Sequence, residues 1–149
     1  MPQRIPNPPM RKRLRREEGA SAVEFVLVVP VLAIFVFGII GFGVAFMQMQ
    51  TIRGALREGG RAAATGATTA EVRSHAFSSA LGAIDSAGHV AVSPNTGNNN
   101  PVCNAQSIGD DATVSYDTKF LPDGGIRVDI PFIPILLKPK LTANFRCEV

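Results

Sequence analysis

Few side chains in this 149-residue chain are arranged for chemistry. His75 and His89 are its two histidines, and Ser74 stands directly beside His75. Adjacency in sequence does not set a nucleophile against its base, so these read as helix-face or surface residues. Asp110 and Asp111 lack the spacing of a calcium loop. No glycine-rich stretch carries the Gly-Lys-Ser/Thr of a phosphate loop. Cys103 and Cys147 fit neither zinc nor CxxC spacing. The sequence therefore predicts no catalytic residue, no metal and no cofactor. The two cysteines are a disulfide candidate if they lie in an oxidising compartment, with two half-buried thiols as the alternative. A bridge would stabilise the fold by roughly 4 kcal/mol in the chain-entropy model.

Glu24 asks for a chemical explanation. It opens a run of 23 uncharged residues, Phe25 to Met47, which extends to 28 at Ile52. About 20 such residues cross a bilayer as a helix. A carboxylate at a helix centre costs roughly 2.5–3.5 kcal/mol on insertion scales, and less near the interface. Gly19 lies five residues earlier and offers an unhindered backbone to a protease. A cut after it would remove six cations and two carboxylates and leave an ammonium on Ala20. The Glu24 carboxylate of one subunit could then meet the Ala20 ammonium of the next, which offsets its burial. A snorkelling carboxylate in an ordinary anchor is the alternative.

The elements around Glu24 follow from composition. Six of the 15 basic residues precede Gly19, against two of the 12 acidic ones, so the pI of about 9.2 belongs to a short tail. After Gly19 the counts are 9 basic and 10 acidic, which leaves no basic face for nucleic acid. The tail fits the positive-inside rule and places the rest of the chain beyond the membrane, in a single pass. Membrane lipid is thus an expected partner. Prolines at 2, 6, 8 and 9 oppose helix in the leader. Three segments result: a cytoplasmic leader, 1–19; a transmembrane helix continuing outside, 20–66, about 70 Å long at 1.5 Å per residue; and an extracytoplasmic head, 67–149. A secreted protein with a cleaved signal peptide is disfavoured, because the apolar core exceeds a signal core.

One face of the rod carries Gly38, Gly41, Ala45, Gln48, Ile52, Ala55, Gly59 and Ala62, at a mean period of 3.5. Small residues at this spacing let helices approach closely, so the stripe is a candidate packing seam toward a partner helix. The head reads as α+β. A helix is expected over about 69–84, capped by Thr68 or Thr69 with Glu71 in its first turn. HVAVS at 89–93 suggests a short strand. Residues 113–120 and 126–132 alternate around the turn signal Pro122-Asp123-Gly124-Gly125 and are expected to form a hairpin. The apolar PFIPILLKPK reads as a connection in the core or covering the sheet, with a position near the membrane or a partner-binding patch as the alternative, and LTANFRCEV as a closing strand.

The basic leader, Gly19, Glu24, Phe25 and the uncharged helix together resemble the processing site of type IV prepilins and pseudopilins. That resemblance implies cleavage after Gly19 by a membrane aspartyl peptidase. Residues 19–64 resemble more closely the N-terminal region of TadE-like proteins, minor pseudopilins of tight-adherence (Flp-type) pilus systems. The matching residues are Ala22-Val23-Glu24-Phe25, Pro30, the stretch from Phe37-Gly38 to Phe42-Gly43, Leu56-Arg57-Glu58-Gly59 and Arg61-Ala62. Arg146-Cys147-Glu148 resembles the ending common in that group, while Val26 stands where pilin relatives often have Tyr. The resemblance implies a structural, non-enzymatic part of bacterial pilus assembly and adhesion. The expected partners are other pilin or pseudopilin subunits, the prepilin peptidase and the inner-membrane assembly platform. An uncleaved single-span anchor displaying a small binding domain is the competing reading.

Overall fold

The computed structural model describes residues 11–130 and 133–148, with side chains from Gly19 onward. The prolines at 2–9 lie outside the described residues, as do Pro131 and Phe132 of the apolar stretch. The fold is α+β, a long helix with a small head built along its C-terminal half.

Helix α1 runs Arg11–Ala64, 54 residues, and so begins inside the expected leader. Residues 11–18 are Arg, Lys, Leu and Glu, strong helix formers that need no burial to continue a turn already begun. Pro30 lies within it and leaves the carbonyl four residues back, that of Val26, without its usual donor. The helix stops at Gly66, whose φ of 86° only glycine adopts cheaply. Ala67 N–H donates to Ala62 O at 3.1 Å and Gly66 N–H to Ala63 O at 3.1 Å, the paired bonds of a Schellman stop.

Helix α2, Thr69–Ser79, starts with a capping box. Thr68 N–H donates to Glu71 Oε2 at 2.8 Å, and Glu71 N–H to Thr68 Oγ1 at 3.3 Å. The Thr68 N–H bond, with Thr68 Oγ1 donating to the same carboxylate oxygen at 2.9 Å, holds the Glu71 carboxyl below its ordinary range. The helix was expected to reach 84 and ends earlier, because Leu81 (φ 48°) and Gly82 (φ 85°) turn left-handed. That reversal brings Ile84 back into the core.

Strands β1 (Val90–Ser93), β2 (Asp111–Asp117) and β5 (Lys140–Arg146) form an antiparallel sheet in the order β1-β2-β5. Val114 opposes Val92 and Ala143, and Tyr116 opposes Val90 and Leu141. This face buries Val114, Tyr116, Val90 and Leu141 against Ile52, Leu56 and Ala63 of α1 and Val72 and Ala76 of α2. Strands β3 (Ile126–Ile130) and β4 (Ile133–Leu137) form a separate two-stranded sheet. It packs lower on α1, around Ala45, Ile126 and Val128.

The expected hairpin of 113–120 with 126–132 is therefore corrected. β2 is already paired on both edges, over four positions with β1 and seven with β5. Its end is turned aside by a short 3-10 helix, Thr118–Phe120, anchored where Thr118 Oγ1 donates to Pro139 O at 2.9 Å. A Cβ on Gly125 would stand 2.6 Å from Leu137 O, so glycine there lets the chain start β3 directly beside β4. The apolar connection is likewise corrected to a strand. Its Pro134 is tolerated because β4 is an edge.

Cys103 and Cys147 are joined by a disulfide across 44 residues of sequence, and both are buried. It ties the loop before β2 to the residue after β5. Cys147 N–H donates to Asp110 O and Gly109 N–H to Cys147 O, each at 3.0 Å, so the same junction is hydrogen-bonded.

Candidate functional site

The surface of α1 divides in two. From Gly19 to Ile40 every residue is exposed except Ala33 and Gly38, which are partly covered. Phe25 is 68% and Ile39 73% exposed. Gly19–Ala64 is the one helix, among the described residues, long and apolar enough to cross a membrane. Gly19, Ala20, Glu24 and Phe25 all lie on this uncovered part, and no head residue lies against Gly19.

From Gly41 onward the head occupies the helix. A Cβ on Gly41 would stand 3.1 Å from Asp129 O and 3.2 Å from Val128 Cγ1. One on Gly59 would stand 3.1 Å from Ala76 Cβ and 3.2 Å from Val72 O. Ala45, Ile52 and Ala55 are buried and Ala62 is half-buried. Within the stripe, Gly41 and Gly59 are thus closely approached by β3 and α2 of the same chain. Gly38 is half-buried and Gln48 exposed. Gly60, which is not in the stripe, is pressed by Phe145 of β5, whose Cδ1 would lie 2.9 Å from a Cβ there. Gly54 faces open space.

Gln48 lines a cleft of about 410 Å³ with Val44 and Ile52, the α2 exit at Ala83, and Leu121 and Arg127 near β3. Its walls mix apolar and polar groups without a nucleophile beside a base.

The polar side chains that do converge lie higher on the head. Tyr116 donates its hydroxyl hydrogen to Asp85 Oδ1 at 2.6 Å. His89 Nδ1 sits 2.7 Å from Asp85 Oδ2. The imidazole stacks on Phe120 with centroids 4.2 Å apart, and Lys119 Nζ lies 5.0 Å from that ring's centroid. Burial drives the Tyr116 hydroxyl far above its ordinary value, and the adjacent Asp85 carboxylate adds to this. Burial alone would raise the Asp85 carboxyl. The bonds from Tyr116 and His89 outweigh it and hold the group below its ordinary range. This arrangement locks the α2–β1 connection onto β2. Tyr116 is the sole tyrosine and alternates with Val114, so its burial is visible in sequence; its partner Asp85, 31 residues away, is not.

Ser74 and His75 both point off α2 to the exterior, as exposed residues. Among the described residues, no three His, Cys, Asp or Glu side chains stand together in a way that could hold a metal ion.

The uncovered helix and most of its head-bound part are the segment that resembles a known family. Residues 19–61 match the family model described as TadE-like protein. No curated protein and no solved structure matches the chain.

Proposed function

We propose that this chain is a membrane-anchored structural subunit associated with a tight-adherence pilus, a minor pseudopilin of the TadE-like kind with no catalytic role of its own. The observation that carries the reading is the match over residues 19–61, which falls on a helix whose first 22 of those residues touch almost nothing in their own chain. Such a surface is stable only in lipid or against other helices. The basic leader stays in the cytoplasm, the head lies outside, and a prepilin peptidase cuts after Gly19. Exposure of Glu24 leaves its carboxylate free to meet the Ala20 ammonium of a neighbouring subunit. Lateral contacts with pilin-like subunits then use the helix below Gly41, since the head covers the seam above it. An assembly platform in the inner membrane would receive the same surface.

The test is the mass of the mature protein in cells with and without the peptidase. Loss of residues 1–19 only when the peptidase is present supports the reading. An intact N-terminus in assembled fibres instead favours an uncleaved single-span anchor displaying its head.

A further inference from the structure

We propose that the β3–β4 hairpin is a second membrane-contacting element, a wedge seated at the bilayer surface on the head's side, with phospholipid as its partner. This rests on the reading of α1 as a spanning helix.

Depth is the first argument. About 20 residues fill the hydrocarbon layer. Counted from Ala20 they end at Ile39, and counted from Phe25 at Val44. Gly41, the residue against which β3 packs, lies between these limits. The strand runs down the helix. Leu121, before β3, packs against the upper core that holds Ile52 as well as the lower one around Ala45, whereas Asp129 meets Gly41. One further residue of strand advances ~3.3 Å, or ~2 residues of helix. Ile130 and its register partner Ile133 therefore stand near the level of Ile39.

Composition is the second argument. β4 is Ile-Pro-Ile-Leu-Leu, and Ile133 is 58% and Leu136 42% exposed. In water this is an unexplained apolar edge. At this depth it stands beside the exposed apolar side chains of Phe37 and Ile34, which share the helix face of Gly41. Cations border its upper end. Lys138 and Lys140 follow β4, and Arg127 lies 3.6 Å from Asp129 on the outer face of β3. Basic groups at that level meet lipid phosphates while apolar neighbours meet acyl chains. An open strand edge cannot enter the hydrocarbon centre with unpaired amides. That limits the wedge to the boundary, and Pro134 removes one donor from the edge.

The chain has no tryptophan, so single substitutions report their own surroundings. Ile133→Trp, Phe35→Trp and Ile108→Trp would each be made in the full chain. Each is reconstituted in phosphatidylcholine–phosphatidylglycerol vesicles brominated either near the carbonyl or near the methyl end of the acyl chains. Phe35→Trp is expected to lose most of its emission to deep bromines, which reports the span. Ile133→Trp is expected to lose most of its emission to shallow bromines, with a blue shift, while Ile108→Trp keeps its emission. If Phe35→Trp is quenched and Ile133→Trp is neither quenched nor shifted, the hairpin lies in water and the wedge is wrong although the span stands. A blue-shifted, unquenched Ile133→Trp means another protein covers it, which also overturns the wedge. Unquenched Phe35→Trp removes the spanning helix and the wedge with it.

Discussion

Gly59 of α1 and Ala76 of α2 meet so closely that a Cβ on the glycine would lie 3.1 Å from the alanine Cβ. The two helices touch backbone to backbone there, with Val72 O at 3.2 Å from the same point. A larger side chain has nowhere to go without moving α2. Gly59→Leu is therefore expected to destabilise the head by about 1–3 kcal/mol. Gly54 supplies the contrast, because nothing lies within 4 Å of its absent side chain. Gly54→Ala should stabilise the same helix by about 0.5–1 kcal/mol. Denaturant unfolding of both variants in detergent micelles checks the pair. Equal effects of the same sign would show that helix propensity, not packing, governs these positions.

The disulfide closes a long loop whose two ends are otherwise held by backbone hydrogen bonds. Cys103→Ser with Cys147→Ser is expected to cost about 2–5 kcal/mol. Thermal melts with and without a reductant measure it. An unchanged melting temperature on reduction would mean that the hydrogen-bonded junction suffices.

Asp85 sets a dependence on pH. Its folded pKa lies below the ordinary value of 3.8 because Tyr116 and His89 bond the charged form. The unfolded chain therefore takes up a proton first as pH falls. The contribution of Asp85 is complete above its ordinary value and disappears as pH drops through its depressed folded value. Asp85→Asn should be less stable than the parent at neutral pH, with the gap closing below pH 3.8. Parallel unfolding curves for both proteins across the acid range would reject this role for the Tyr116–Asp85–His89 bonds.

Glu24 is expected to matter for assembly and not for insertion. Glu24→Ala removes a charge whose burial costs up to roughly 2.5–3.5 kcal/mol at a helix centre, so membrane insertion is unimpaired. Fractionation should find the variant in the membrane as before, while its recovery in crosslinked assemblies falls. Assemblies at parental yield would show that the carboxylate has no partner between subunits.

Much of this arrangement is legible in the residues themselves. The 23-residue uncharged run, the Schellman glycine and the Thr68–Glu71 cap each depend on local chemistry, and each marks its element without tertiary information. The close approaches at Gly41 and Gly59 also fall on the spacing of small residues. What spacing cannot supply is the identity of the partner, since α2 and β3 of the same chain satisfy the geometry a second subunit would. Strand pairing departs from the expected hairpin for a related reason. Pro122-Asp123-Gly124-Gly125 does turn the chain, yet the edge that β3 would have joined is already held by β5, across the intervening residues 118–139. Pro134 disguised β4 as a loop, because a proline forbids a central strand and leaves an edge strand possible.

The head is fastened to α1 at Ala45, Ile52, Leu56, Gly60 and Ala63, roughly every turn or two over ~27 Å of helix. Such a mounting has no swivel. If the shaft rotates about its own long axis during assembly, the head must sweep through the same angle, so torque applied within the membrane is delivered undiminished to whatever the head touches.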